Sequence, residues 1–459
     1  MKYTPHTYTD IELMLGAIGA ESVESLFSDI PSEKQIASLA MAPGKSEWEV
    51  NKIMSRLAGK NRFSYDKPGF LGAGAYRHYS PAAVDAVLSR SEFFTAYTPY
   101  QAEASQGILQ SIFEYQTMIC RLTGMDVSNA SHYDGATSCA EAAALAIAET
   151  KQKEVLYSAG LHPEYVQVLK TYFRNGEIAV LREIPLEDGI TSVDELKKML
   201  GKETAAVIVQ NPNCLGFIEQ AEKISGIIKE QKLKALYVIA VNEPHSLAIL
   251  KNPGDCGADI AVGEGAGLGI PLSFGGPYLG FMAVKNKLMR KIPGRLVGQT
   301  VDTDGNEVYC LTLQTREQHI RREKASSNIC SNEALCALAA TVYLAYVGRN
   351  GFASLAKRCI EKSHYLRDRL LSVGFRTAAD SPFFNEFAVI CPDDPVKIER
   401  YLRDKGITPG FRAKIWKDEW KDYMVFCATE LNSKKEIDDM IGYLETYCRE
   451  EVSSACAIN

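Results

Sequence analysis

The sequence predicts an α/β fold: a large, mostly parallel sheet covered by helices, followed by a smaller C-terminal α/β domain. Three observations carry this. Between residues 151 and 262, strand-like and helix-like segments alternate, and the strands in EVLYSAG, AAVIVQNPN and LYVIAVNEP are continuously apolar, as in a parallel sheet buried on both faces. A glycine-rich turn follows in GADIAVGEGAGLGIPLSFGGPYLGFMAV (257–284), where seven glycines run from Gly263 to Gly280 between strands at Ile260–Val262 and Leu279–Val284. A second alternation occupies 353–448. At 459 residues the chain is too long for one core. The expected organisation is an N-terminal helical extension (1–63), a large α/β domain (64–330), a small α/β domain (331–452) and a disordered tail (453–459).

The N-terminal region reads as helical. Thr9-Asp10 is expected to cap a helix through Leu15, and Ser32 to start another over Lys34–Leu39. In SEWEVNKIMSRLAGKN, Trp48, Val50, Ile53, Met54 and Leu57 form the apolar face of a helix ended by Gly59. Residues 64–107 are dense in Gly, Pro and Tyr, and Ser80-Pro81 predicts a helix start with Ser80 as cap and Pro81 as first helical residue. FFTAYTPYQAEASQG then gathers Tyr97, Thr98, Tyr100, Gln101, Glu103, Ser105 and Gln106. Such a polar, aromatic stretch suits an interface or a ligand pocket, and equally a tyrosine-rich surface loop.

ILQSIFEYQTMICRLTGM is an amphipathic helix closed by Gly124. HYDGATSCAEAAALA opens an alanine-rich helix whose first turn could take an anion on backbone N–H groups and Thr137, or could be a buried helix capped by Thr137 or Ser138. In SVDELKKML, Ser192 caps with Glu195 as the box partner. Asn211-Pro212-Asn213 and Asn242-Glu243-Pro244-His245 lie just past strand ends, the ligand-binding edge of such sheets. Asp304-Gly305-Asn306 signals a hairpin. Arg316, His319, Arg321, Arg322 and Lys324 then put five basic groups within nine residues, a solvated basic face or a site that positions an anion or a partner. EALCALAATVYLAYVG is an apolar helix, and LAKRCIEKSHYLRDRLLSVG, FNEFAVIC, VKIERYLRDKG, YMVFCATE and KKEIDDMIGYLETYCREEV give helix, strand, helix, strand, helix.

Composition removes several classes. A net charge of −6 without a large basic block disfavours nucleic-acid binding. No apolar run is long enough to span a bilayer, and MKYTPHTYTDIELM has no signal or transit pattern, so a cytoplasmic protein is expected. The 12 cysteines include no Cys-x-x-Cys and sit in apolar segments, as reduced core thiols do; no metal site is expected.

The order of domains is the layout of fold-type I pyridoxal-phosphate enzymes, and longer strings are more specific. FFTAYTPYQAEASQG, HYDGATSCAEAAALA, IPLSFGGPYLGFMA and LQTREQHIRREKASSNICSNEAL resemble the motifs of the glycine dehydrogenase (decarboxylating) family, the P-protein of the glycine cleavage system. The resemblance covers nearly the whole chain and is to the α half of the form whose two halves are separate polypeptides. It implies decarboxylation of glycine on pyridoxal phosphate and transfer of the aminomethyl group to the lipoyl arm of H-protein. It also implies two α and two β chains, with the cofactor lysine on the β subunit. Aligning on Ile270-Pro271 puts Ala266 at the lysine position; aligning on Gly257-Ala258-Asp259 puts Gly267 there. No lysine occurs between Lys251 and Lys285, and the strand Val238–Asn242 lacks the aspartate that would meet the cofactor nitrogen. A Schiff base needs a lysine amine, so this chain is expected to be inactive alone and to support its partner's active site. Tyr97, Thr98, Tyr100, Gln101, Glu103, Ser105 and Gln106 are the first candidates for that role. Thr137, Ser138, Arg316, His319 and Arg321 are candidates for anion or interface contacts, and the Gly135–Ser138 turn for a vestigial phosphate cup. A self-sufficient pyridoxal-phosphate enzyme of another kind, and a non-catalytic scaffold that kept the fold, stay open as alternatives.

Overall fold

A computed structural model describes residues 5–36, 38–61, 67–325 and 327–452. It divides into two compact units at the Ser64–Tyr65 bond. The expectation for the tail at 453–459 falls outside the described residues.

The first unit holds two α-helices. α1 (Tyr8–Ile18) starts one turn earlier than expected: Thr7 is the cap, and Asp10 returns a hydrogen bond to it in a capping box. α2 (Glu47–Ala58) follows its predicted span, with a box between Ser46 and Glu49 and Gly59 at the end. The helix expected from Ser32 is only a 3₁₀ turn over Ser32–Lys34. Neither α-helix has a buried residue; Leu13 and Trp48 are both about two-thirds exposed.

The second unit begins with two short helices, α3 (Ala82–Leu88) and α4 (Ser91–Phe94), and the long α5 (Gln106–Thr123). Pro81, not Ser80, is the residue before α3, and no side chain caps it. The Ser80 hydroxyl is turned to the Gly269 carbonyl instead, 2.8 Å away. A seven-stranded sheet then assembles from β1 (Val127–Ser128), β2 (Glu154–Ser158), β3 (Val180–Ile184), β6 (Thr204–Gln210), β7 (Leu236–Val241), β8 (Ile260–Glu264) and β9 (Gly280–Val284). Between β3 and β6 lies the small hairpin β4 (Leu186–Glu187) and β5 (Ile190–Thr191). The strand order is β1-β9-β8-β7-β6-β2-β3. The five strands from β3 to β8 are parallel; β9 and β1 close the other edge antiparallel.

Successive strand residues feed opposite cores, as the period of two requires. Val207, Val209, Ile239 and Val241 pack with α5, α9 (Ala221–Glu230) and the start of α11 (Ala334–Leu371). Ala206, Ile208, Val238 and Ala240 pack against α6 (Gly135–Thr150) and α7 (Pro163–Tyr172). α8 (Val193–Met199) is capped by Ser192, whose hydroxyl accepts from the Glu195 N–H. The predicted hairpin forms from β10 (Leu296–Val301) and β11 (Glu307–Thr312), and α10 (Gln318–Arg321) follows it.

Two helices expected on either side of residue 350 form one element, α11, broken at Gly348, where φ is 59° and ψ 177°. Glycine adopts that geometry without a Cβ clash. The second sheet, β12-β13-β15-β14, is antiparallel throughout: β12 (Arg376–Thr377), β13 (Glu386–Ile390), β14 (Phe411–Arg412) and β15 (Tyr423–Cys427). Its core joins Phe387, Val389 and Val425 to Ile398 and Leu402 of α12 (Pro395–Asp404) and Ile437 and Leu444 of α13 (Lys434–Tyr447). Among the described residues no helix is long and apolar enough to cross a membrane.

The two sheets meet at a tight turn after β6. Gly216 has φ +89°, and a Cβ there would lie 2.0 Å from the Glu386 carbonyl oxygen at the start of β13. Gly216→Ala is therefore expected to cost about 2 kcal/mol or more. It should lower the thermal unfolding midpoint; an unchanged midpoint would refute the fit described.

Candidate functional site

The glycine-rich turn, the end of β7 and the first turn of α6 converge at the carboxyl edge of the parallel strands, where such folds place ligands. Ala266 is half-buried and Gly267 buried, and neither brings an amine. A Cβ at Gly267 would sit 3.3 Å from both the His78 ring and Pro244. At the end of β7, Asn242 is buried and its Oδ1 has no hydrogen-bond partner.

The phosphate-cup position is filled by the protein itself. The carboxylate of Glu264, the last residue of β8, accepts from the Gly135 N–H at 3.0 Å, the Leu279 N–H at 2.8 Å and the Ala266 N–H at 3.0 Å. Burial pushes its pKa up to about 7, against the lowering effect of those three donors. The cap of α6 is Asp134, not Thr137 or Ser138. Asp134 Oδ1 accepts from the Thr137 N–H and Oδ2 from the Thr137 hydroxyl. A side chain one residue before the helix reaches the third N–H naturally, whereas Thr137 would have to bond within its own turn. Ser138 is fully buried between the Asp134 carbonyl and the His132 ring. Gly135 is required here: a Cβ would lie 1.9 Å from the Tyr165 hydroxyl. A loop from 73 to 78 closes the remaining space, with the Ala73 carbonyl 3.0 Å from His162 Nε2. The residues present thus do not fit pyridoxal phosphate: no amine can bind it, and the helix terminus for its phosphate is taken by a carboxylate.

Beside this cup lies a buried charge network that no local motif announces. His78 Nε2 is 3.0 Å from Glu243 Oε2 and its Nδ1 2.8 Å from Glu430 Oε2. Burial alone would lower the His78 pKa, but the charge on Glu243 and hydrogen bonds to its neighbours raise it well above normal. Burial likewise works against ionised Glu243 and Glu430, and the imidazolium overrides it, holding Glu243 well below the carboxylate range and Glu430 at about 2. His245 stacks on His78 with ring centroids 3.7 Å apart, and burial together with that neighbouring charge lowers its pKa. Neutral His245 can then donate from Nδ1 to Glu243 and accept from the Tyr343 hydroxyl at Nε2. Within each of two triads that share His78, His78–Glu243–His245 and His78–Cys359–Glu430, one potential metal-ligand atom per residue lies within 4.8 Å of the others. In the arrangement described, both His78 nitrogens are engaged by carboxylates, as suits a proton shared among charges.

The candidate stretch Thr95–Gln106 lies away from this edge. Tyr97 is 87% exposed and Tyr100 half exposed, Gln101 and Glu103 are exposed, and Thr98 and Ser105 are half-buried. Gln106 is internal in its bonding: its amide clamps both backbone groups of Tyr309 on β11. The basic string folds against the same stretch, with the His319 and Tyr100 rings edge to face at 6.0 Å. Arg316 donates to the Ile292 and Gly294 carbonyls, with the charge of the adjacent Glu317 acting on it. Arg321 and Arg322 are exposed. Sequence reasoning missed His78, Glu430 and Arg295 as site residues. Arg295 reaches the Tyr100 hydroxyl at 3.1 Å.

A family model described as "Glycine cleavage system P-protein" matches residues 1–444. The "Probable glycine dehydrogenase (decarboxylating) subunit 1" of Desulforamulus reducens is 50% identical over 440 residues, covering 95% of this chain and 98% of that one. Its counterpart in Carboxydothermus hydrogenoformans is 49% identical over 445 residues, covering 97% and 99%. A crystal structure of glycine decarboxylase (P-protein) of the glycine cleavage system, in inhibitor-bound form, superposes with a TM-score of 0.88 at 43% identity, covering 97% of this chain and all of that one. A NifS-like protein at 12% identity and TM-score 0.61 shares the fold alone.

The raised His78 pKa sets a pH dependence. Such a group contributes stability fully present below its unfolded value near ~6.5 and lost as pH rises through the folded value. The gap in thermal midpoint between wild type and His78→Gln should be widest below about pH 6.5 and narrow on the alkaline side. A gap with no dependence on pH would show that His78 is not charged in the fold.

Proposed function

The chain belongs to the glycine cleavage system P-protein family, and from that premise we propose that it is the cofactor-free half of a two-chain glycine decarboxylase. The observation that carries this reading is the Glu264 carboxylate on the Gly135 N–H, in a loop without lysine. A helix N-terminus attracts an anion through its free N–H groups. Here the anion is a side chain, so the cup is satisfied internally. Pyridoxal phosphate is then held by the β subunit, whose active site decarboxylates glycine and passes the aminomethyl group to the lipoyl arm of H-protein. The assembly contains two α and two β chains and works in the cytoplasm.

In this reading the chain acts through its surface. Tyr97 and Gln101 are exposed polar groups on the stretch that converges with the basic string, and they are offered to the partner's pocket. In the same stretch Tyr100 and Glu103 are also exposed, and Thr98 and Ser105 are half-buried. Gln106 serves it indirectly by fixing β11. His319 and Arg321 lie at its margin, while Thr137 and Ser138 have only structural partners.

Two measurements test the proposal. The purified chain mixed with pyridoxal phosphate should give no borohydride-fixable adduct. The partner subunit should gain CO2 exchange with glycine and lipoylated H-protein when this chain is added; no gain would sink the proposal. In the assembled pair, Tyr97→Ala or Gln101→Ala should lower kcat/KM for glycine by about tenfold, equivalent to about 1.4 kcal/mol. The thermal midpoint of this chain should not move, because both side chains are exposed.

A further inference from the structure

Beneath Tyr100 lies a guanidinium with no counter-ion. Arg295 is 4% exposed, and among the described residues no carboxylate lies within ion-pair distance of it. Its described side-chain partners are hydroxyls: Nη2 donates to Tyr100 at 3.1 Å and Nη1 to Ser331 at 3.3 Å. Its Nε is buried with no hydrogen-bond partner. The charge centre lies 5.4 Å from the centre of the Tyr100 ring. Arg316 adds a second guanidinium, hydrogen-bonded to the carbonyl of Gly294, the residue before Arg295; its Nε is also buried and unpartnered. The nearest carboxylate in this cluster is Glu317, 3.6 Å from His319, with one buried oxygen unpartnered and its charge acting on Arg316; among the described residues no ion pair joins it to Arg295.

A buried charge without an opposite charge is costly, and proteins rarely keep one without a use. The contrast within this molecule is direct. The buried carboxylates Glu243 and Glu430 face an imidazolium, whereas the Arg295 charge faces only hydroxyls. Each hydroxyl that accepts from Arg295 keeps its own hydrogen to donate. Tyr100 is half exposed, and His319 stands edge-on beside it with 43% of its side chain exposed. Two stretches singled out in the sequence, 95–106 and 316–324, thus meet over one unpaired charge, though Tyr100 and Arg295 are 195 residues apart.

We infer that Arg295, Tyr100, Ser331 and His319 form an oxyanion-binding site that receives a carboxylate or phosphate group presented from outside this chain. Tyr100, Ser331 and His319 supply the donors, and Arg295 supplies the charge from behind. The inference rests on the proposal that this face meets the partner's active site. Two groups there have the required chemistry: the carboxylate of glycine and the phosphate of pyridoxal phosphate.

The test uses the assembled α and β pair. Wild type is first compared with the β subunit alone; absence of any gain defeats the functional proposal and leaves the anion site to be judged on the isolated chain. There, inorganic phosphate should raise the thermal midpoint of wild type and not of Arg295→Met. No rise in wild type would overturn the site. In the active pair, Arg295→Met should raise KM for glycine about tenfold with little change in kcat if the substrate carboxylate is bound. It should instead speed loss of pyridoxal phosphate on dialysis, followed by absorbance, if the phosphate is bound. Tyr100→Phe, a half-exposed change that leaves the fold intact, should shift the same readout by a few-fold, and Arg295→Lys should restore part of it. An intact pair in which Arg295→Met and Tyr100→Phe alter neither KM nor cofactor retention overturns the inference.

Discussion

The buried bridge Glu243–His78–Glu430 is the constraint around which the second unit is arranged. Glu243 follows β7 of the large sheet, Glu430 follows β15 of the small sheet, and His78 comes from the loop between them. Asn385, just before β13, donates to the same Glu243 oxygen that faces His78. Glu386 reinforces the junction by accepting from the Tyr76 hydroxyl at 2.8 Å. Removing one member of such a set leaves a buried charge uncompensated, at a cost of about 3–5 kcal/mol. The relative placement of the two sheets therefore depends on the loop at 73–78 staying where it is.

That same loop is what fills the carboxyl edge of the parallel strands. Its Ala73 carbonyl meets His162, its His78 ring abuts Gly267, and its His78 charge is held by Glu243. Cohesion of the two sheets and the filling of this strand edge thus rest on one loop. A lysine placed at Ala266 or Gly267 would still face a cup whose Gly135 N–H is bonded to Glu264. Loss of the nucleophile and occupation of the anion site reinforce each other.

Much of this was legible in the sequence, and the rest was hidden for identifiable reasons. The parallel strands were readable because burial on both faces removes polar positions, as in β6, where all seven residues are buried. The Ser192 cap and the Asp304–Asn306 turn were readable because their signals are local. The missing lysine could be seen directly, but its replacement could not: a lone glutamate at 264 has no pattern. His78 lies 165 residues from Glu243 and 352 from Glu430, so only the folded topology brings them together. Asp134 was overlooked as the cap of α6 because Thr137 and Ser138 are equally good capping types. In the fold the Ser138 hydroxyl is engaged by the Asp134 carbonyl and the His132 ring, which leaves the Asp134 carboxylate to take the Thr137 N–H.

Two anion sites can be compared within this one chain, and polar satisfaction separates them. At the α6 terminus, Glu264 accepts from three backbone N–H groups, and Thr137 and Ser138 have partners inside the protein. The Gly135, Thr137 and Ser138 N–H groups of that turn are all bonded within the protein. At Arg295 the Nε has no partner, and the guanidinium lies under the half-exposed Tyr100, while the unpartnered acceptor nearby, Glu317 Oε1, belongs to a carboxylate that faces His319. Buried polar groups are ordinarily paired, so a persistent imbalance marks where an external group completes the structure. Within one chain, then, one helix terminus meets a carboxylate of the same protein, while a buried guanidinium has only hydroxyl partners among the described residues.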